Sequence, residues 1–382
     1  MWKRSRVLMI GGTAALLGLL LIVRHWQLGR SSGTLFRVGV LLPLSGDAAP
    51  WGISMKEGID LAFEYLSKSR SSQAAPIELR YEDDRGQPRD GLAAAQKLIS
   101  VDHVFALIGV ANSSVALAII PVIDRQKIVF ISGGASSPKL SGSSRFFFRT
   151  WPSDVVEAHI MARYAHDRLK VKDVAILYIN NDYGFGLRIP FRQEFEKLGG
   201  RVVAEETFQQ EATDFRTQLV SVRNARPDAV YLAGNPREMA RCLKQARELG
   251  LKMQFLSISG LVEPEVIRIA GKAAEGVLLT DASFDPSSPN AETQRFISLF
   301  RQRYRKEPGM LAATGYDAMR VLIAAFDKVR SGGDLLAEEI RKIRDFPGAA
   351  GPISFDERGD VSRPVRITTV RDGQFVTKEY VQ

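Results

Sequence analysis

The side chains able to do covalent or acid–base chemistry are few and poorly grouped for it. Ser136-Ser137-Pro138-Lys139 has the Ser-x-x-Lys spacing that sets a lysine one helical turn from a serine nucleophile. No Lys-Thr-Gly follows anywhere in the chain, and so short a match arises readily by chance. Gly184-Phe185-Gly186 follows the apolar run Val174–Ile179, as a phosphate-cradling turn would, with Glu205 and Glu206 about 20 residues on. However, its third glycine position is Ile189, and Asn180–Gly184 is too long for a tight strand-to-helix turn. Of the histidines His25, His103, His159 and His166, only the last two come near each other, and no cysteine or third histidine joins them as a metal ligand. Walker-type loops, His-Glu-x-x-His helices and Gly-x-Ser-x-Gly elbows are absent. The expectation is a protein without catalytic residues, cofactor or metal, and an extracytoplasmic α/β enzyme is the weakest of the readings considered.

Composition removes further classes. The 382 residues carry a formal charge of +9, but lysines and arginines are interspersed with acids. The densest cluster, Arg301-Gln302-Arg303-Tyr304-Arg305-Lys306, reads as a solvated helix face, so no nucleic-acid partner is expected. The single cysteine, Cys242, excludes an internal disulfide. It falls at helical spacing with Met239, Leu243, Ala246 and Leu249, the pattern of a core position. At the N-terminus Lys3, Arg4 and Arg6 precede an uncharged run from Val7 to Val23, closed by Arg24 and His25 and flanked by Trp2 and Trp26. Such a segment (residues 1–30) is a signal peptide or an uncleaved anchor, and no clear small-x-small cleavage pattern or lipid-accepting cysteine follows it. The expectation is a periplasmic, extracytoplasmic globular part tethered to the inner membrane through residues 7–23.

The elements that must position any site alternate along the rest of the chain. Strand-like runs at 36–42, 77–81, 104–108, 128–131, 146–149, 174–179, 202–204, 229–233, 255–258 and 277–280 are mostly apolar throughout, as strands covered on both faces are. Amphipathic segments lie between them, such as Ile59/Ala62/Phe63/Leu66 and Leu187/Phe191/Phe195/Leu198. This predicts a doubly wound α/β architecture with too many units for one sheet. Residues 36–151 with 283–358 are expected to form lobe one, and 152–282 with 359–382 lobe two. Helices are expected at 296–304, 311–329 and 335–343, and Asp372-Gly373 predicts a C-terminal hairpin. Open α/β sheets bind ligands at the carboxyl ends of their strands. Three loops there stand out: Pro43–Gly52 with Trp51, Ala111–Ser114, and Gly133–Pro138. The last two combine hydroxyls with backbone N–H groups at expected helix starts, a setting suited to a carboxylate.

Taken in order, Leu41-Leu-Pro-Leu-Ser-Gly46, Trp51-Gly52 with Gly58, Ile108-Gly109 with Ser113-Ser114, Ile131-Ser-Gly-Gly-Ala-Ser-Ser-Pro138 and Asp182-Tyr183-Gly-x-Gly186 form a diagnostic set. So do Glu238-Met239 within Ala229–Gly250, and Ala273-Ala-Glu-Gly276. The chain resembles the branched-chain amino-acid (leucine/isoleucine/valine) periplasmic binding proteins over roughly residues 36–370. The resemblance implies a type I periplasmic binding fold: two Rossmann-like lobes joined by three crossings that close on a small solute for an ABC permease, as a monomer. It also implies roles for residues. Ser113 and Ser136, with the backbone of Gly134 and Ala135, would hold a ligand carboxylate; Trp51 would border the side chain; Tyr183 would close over it. The acidic position that would neutralise an ammonium aligns with Ser259, and an aromatic position falls near Asn235-Pro236. These departures leave a carboxylate-bearing ligand as the expectation, with Glu263 the nearest acid in sequence. A membrane-tethered sensor using the same fold is the competing reading.

Overall fold

The computed structural model describes residues 35–69, 75–281, 284–363 and 365–381. The N-terminal segment expected at 1–30 lies outside the described residues. Among the described residues no helix is long and apolar enough to cross a membrane.

Two sheets carry the fold. The first is parallel, in the order β2-β1-β3-β4-β5, built from Phe36–Leu42 (β1), Ile77–Asp83 (β2), Ala106–Gly109 (β3), Val129–Ser132 (β4) and Phe147–Arg149 (β5). Helices Ala49–Ser69 (α1), Pro88–Ser100 (α2) and Ser113–Gln126 (α3) connect its strands. The central strands β3 and β4 are buried residue for residue, which is why their sequences run apolar without alternation. The chain then crosses through Asp154–Arg163 (α4) to the second sheet.

That sheet has the order β12-β11-β10-β9-β8-β6-β7. Its parallel part comprises Asp173–Ile179 (β6), Arg201–Phe208 (β7), Ala229–Ala233 (β8), Gln254–Ser257 (β9) and Leu278–Asp281 (β10). Helices Asp182–Lys197 (α5), Arg216–Ala225 (α6), Pro236–Glu248 (α7) and Pro264–Ala270 (α8) alternate with them. Each sheet thus repeats one winding, with its first strand second from the edge, and each places its connecting loops at the carboxyl ends of the strands.

After β10 the chain contributes Ala291–Tyr304 (α9), Met310–Val329 (α10) and Gly333–Arg341 (α11). α10 packs along α1, which returns this segment to the first lobe. Between 342 and 363 only isolated bridges occur, Phe346 with Ile353 and Phe355 with Val361. The chain ends in an antiparallel hairpin on the second sheet, Val365–Arg371 (β11) and Gln374–Val381 (β12), turning at Asp372-Gly373. Cys242 is fully buried on α7, and burial pushes its thiol far up, the state of an inert core residue.

Two boundary differences have a physical reason. β7 extends to Phe208, beyond the expected 202–204, because its polar residues Glu205, Glu206 and Thr207 lie on a half-exposed edge strand. The Gly133–Pro138 loop does not open an α-helix as expected. It ends in a single 3-10 turn at Pro138–Leu140, where Ser137 and Pro138 set a turn rather than a run.

Candidate functional site

The lobes meet over a cavity lined by Trp51, Ala111, Gly134, Ser136, Trp151, Asp154, Glu157, Tyr183, Ile258, Ser259, Gly260 and Leu311. Trp51, Ala111, Gly134 and Trp151 follow β1, β3, β4 and β5, whereas Tyr183 and Ser259 follow β6 and β9. The space open to the centre of a water molecule is about 20 Å³, little more than the ~10–15 Å³ one water needs. The lobes are therefore closed on one another.

Trp51 makes the central contact. Its indole N–H donates to the Gly260 carbonyl at 2.7 Å across the lobes, and its ring meets Tyr183 edge-on at 5.6 Å. A Cβ on Gly260 would lie 2.9 Å from the Tyr183 hydroxyl and 3.1 Å from the indole, so this approach requires glycine. Around the rim Lys139 pairs with Asp182 at 2.7 Å and Arg241 with Asp47 at 2.7 Å. Gln210 donates to the Gly86 carbonyl at 2.8 Å, and Arg237 to that of Gly46 at 2.7 Å. An exposed pair such as Lys139–Asp182 contributes at most about 1 kcal/mol, so it defines the geometry of closure more than its strength.

The cavity floor is acidic. Asp154 and Glu157 occupy the first turn of α4 three residues apart, hence on one face. Both are buried, with 3 % and 2 % exposure. The Glu157 carboxylate accepts from the Ser259 N–H at 3.0 Å, the Ser259 hydroxyl at 2.5 Å and the Thr280 hydroxyl at 2.7 Å. Burial raises its pKa and those three bonds oppose the rise. Asp154 is less well served. Its Oδ2 has no partner among the described residues. Burial pushes its carboxyl up to about 8, opposed by a hydrogen bond from Ser136. Burial first, then these two carboxyls, hold the Tyr183 and Tyr231 phenols far above their ordinary value. The Tyr231 hydroxyl also lacks a partner among the described residues. Gly186 brings α5 against this floor: a Cβ there would stand 2.9 Å from Asp154 Oδ2. The glycine pair at 184 and 186 thus serves close packing, with no phosphate turn, since α5 begins at Asp182.

The residues expected at the site divide in two. Trp51, Gly134, Ser136, Tyr183 and Ser259 line the cavity, and Ser113 and Ala135 do not. The backbone N–H groups expected to be free for a carboxylate are engaged within the chain. Ser132 Oγ accepts from Gly134 at 3.3 Å and Ala135 at 2.9 Å, and Ser113 Oγ accepts from Ser136 at 3.2 Å and Ser137 at 3.0 Å. Asn235 caps α7 in a capping box with Glu238 and faces Asn112 across the lobes. Glu263 lines a different pocket. Asp154 and Glu157 are the site residues the sequence reading missed. As acids in the first turn of a helix opened by Pro152-Ser153, they carry the same signature as ordinary dipole-compensating residues.

Arg149 supports the floor from below. It is fully buried and pairs with Asp360 at 2.7 Å, donates to the Ser137 carbonyl at 3.0 Å and to the Ser141 hydroxyl at 2.7 Å. Arg363 ties the crossings: it donates to the Thr150 carbonyl at 3.1 Å and to that of Ala350, and pairs with buried Asp317 at 3.3 Å.

Two wound α/β lobes closed on a small interior cavity define a bilobal solute-binding protein. Residues 36–374 match the periplasmic binding protein family, and the chain belongs to it. It is 26 % identical over 330 residues to a Leu/Ile/Val-binding protein homolog of Brucella melitensis, covering 86 % of this chain and 89 % of that one. A leucine-binding protein from Thermotoga maritima, 32 % identical, superposes with a TM-score of 0.86 over 91 % of this chain and 98 % of its own. An ABC-transporter solute-binding protein from Rhodopseudomonas palustris, in complex with 3,4-dihydroxybenzoic acid, is 25 % identical, with a TM-score of 0.81 over 91 % and 97 %.

Proposed function

We propose that the chain captures a small zwitterionic amino acid, or a related amide, outside the cytoplasm and delivers it to an ABC permease. It acts as a monomer, by hinge closure, with binding rather than turnover as its activity. The observation that carries the ligand class is the acidic floor: Asp154 offers an unpartnered acceptor, Glu157 lies beside it, and among the described lining residues none is basic. An ammonium would draw the proton from such a raised carboxyl and pair with it, and an amide N–H would donate to it, whereas a purely anionic acid would oppose that ionisation. The carboxyl end of such a ligand lies toward the Gly134–Ser136 loop, whose Ser136 hydroxyl would turn from Asp154 to meet it, with Trp51 and Tyr183 over its side chain. The acid that the family resemblance would put at Ser259 is thus supplied from α4, and Ser259 is bonded to it. The moving bodies are residues 36–151 with 283–358 and residues 152–282 with 359–382. Anything larger than a water needs them to part, and α4 lies on one of the connections.

Thermal-shift screening of the purified chain tests the reading. Small α-amino acids are expected to raise the melting temperature, and their 2-hydroxy-acid counterparts and benzoates to leave it unchanged. Stabilisation by the deaminated acids alone would overturn the assignment. The tether proposed at residues 7–23 has its own check. A C-terminally tagged full chain is expected in the membrane fraction at full length, and a soluble product trimmed near residue 30 would refute the anchor.

A further inference from the structure

A second pocket opens where the lobes meet beside the first turns of α1. It shares no lining residue with the cavity and offers about 310 Å³. Its walls come from both sides: Ser54 and Glu57 of α1, Lys306 and Gly309 from the α9–α10 connection, and Glu263 and Glu265 at the start of α8. Four glutamates stand there against Lys306 and Arg268. Both cations are engaged, Lys306 with Glu57 at 2.8 Å and Arg268 with Glu265 at 2.7 Å.

Glu263 is the exception. It is only 5 % exposed, yet among the described residues its carboxyl accepts no hydrogen bond and forms no ion pair. It reaches across the junction: a Cβ on Gly309 would stand 3.8 and 3.9 Å from its two oxygens and 3.7 Å from the Ser54 hydroxyl. Polar side chains this deeply buried are nearly always paired. The pocket wall sets Ile53 and Phe300 beside this carboxyl, a pairing of acid and apolar surface that suits an alkylammonium.

We infer that this pocket binds an alkylammonium group, with Glu263 as its carboxylate partner, Ser54 as an additional acceptor, and Ile53 and Phe300 against the alkyl stem. Because both lobes build the walls, occupancy favours the closed form. By reciprocity it also tightens the cleft for its own solute. The site is separate from the acidic floor and does not rest on the identity of the cleft ligand. Burial pushes the Glu263 carboxyl up to about 8, with Lys306 opposing. At neutral pH it therefore carries a proton that an arriving ammonium displaces.

Calorimetric titration of the full chain with n-butylammonium chloride tests this, with butan-1-ol as the uncharged isostere. The amine is expected to bind and the alcohol not to. The observed heat at pH 7 should differ between phosphate and MOPS, because a proton is released. Glu263→Gln keeps the shape and is expected to lower affinity at least about tenfold and to abolish the buffer dependence. Asp154→Asn is expected to retain the amine. If binding instead disappears in Asp154→Asn and survives in Glu263→Gln, the amine occupies the cleft, and this inference falls while the proposed cleft chemistry stands. No binding to the wild type, or equal binding to Glu263→Gln with no change in buffer dependence, also overturns it.

Discussion

Arg149→Met is expected to lower the stability of the first lobe by about 3–5 kcal/mol, the cost of leaving one member of a buried ion pair alone. Methionine fills the volume of the guanidinium stem but supplies none of its donors. Asp360, 12 % exposed, would lose its partner at 2.7 Å, and the Ser137 carbonyl and Ser141 hydroxyl would lose theirs. The consequence reaches function because those acceptors belong to the loop that carries Gly134 and Ser136 into the cavity. Arg149 also favours the charged form of Asp154 through space, so its loss makes the floor harder to ionise. Arg149→Lys should not restore the wild type, since an ammonium cannot span Asp360, Ser137 and Ser141 from one planar fork. Urea denaturation measures the effect, on whichever transition carries the first lobe if the lobes unfold separately. A loss below about 1 kcal/mol would mean that water replaces the guanidinium, and the assigned supporting role would be wrong.

The fold was legible because its strands are covered on both faces. Ala229–Ala233 falls within the observed bounds to the residue, since no charge interrupts a strand with no exposed side, and Phe36–Leu42 does too, its one charge, Arg37, standing at the half-buried start. Where one side is exposed the reading shortened: β7 and β12 continue through Glu205-Glu206 and Lys378-Glu379, which look like loop composition until they pair. Trp51, Tyr183 and Ser259 could be placed in the cleft by resemblance, because each sits in a loop whose position follows strand order. The floor could not. Glu157 meets Ser259 and Thr280 across 102 and 123 residues of chain, and only the crossing geometry of α4 brings them together. The resemblance gives Ser113 a place on the ligand for a related reason: neither its hydroxyl nor that of Ser132 shows in the sequence which backbone groups it will serve. Their capture by Gly134, Ala135, Ser136 and Ser137 N–H groups depends on how the loop folds back over β4. Spacing alone does not distinguish a hydroxyl that serves the loop from one that serves a ligand.

Asp154→Asn is expected to separate the cost of the floor from its use. The Asp154 carboxyl rises on folding from an ordinary 3.8 to about 8 because it is buried with one oxygen unpartnered. A carboxyl raised in this way contributes stability that is fully present below its unfolded value and lost as pH climbs through its folded value. Ligand-free wild type should therefore lose stability from about pH 4 to about pH 8, and the neutral asparagine should flatten that slope. At pH 8 the variant should be the more stable protein by about 1–3 kcal/mol, the penalty of an unsatisfied buried group. Binding should move the other way. An ammonium ligand repays the burial of Asp154 only if a carboxylate is there, so Asp154→Asn should weaken amino-acid binding by about 2–5 kcal/mol, at least roughly 30-fold. The opposite sign, tighter binding of an anionic acid to Asp154→Asn than to wild type, would mean that the ligand turns its carboxyl toward α4. Melting curves across pH 4–9, without ligand and with a saturating amino acid, read both effects in one experiment. A variant more stable when empty and less stabilised when filled is the result that a floor kept for ligand binding demands, because a purely structural Asp154 would shift both curves alike.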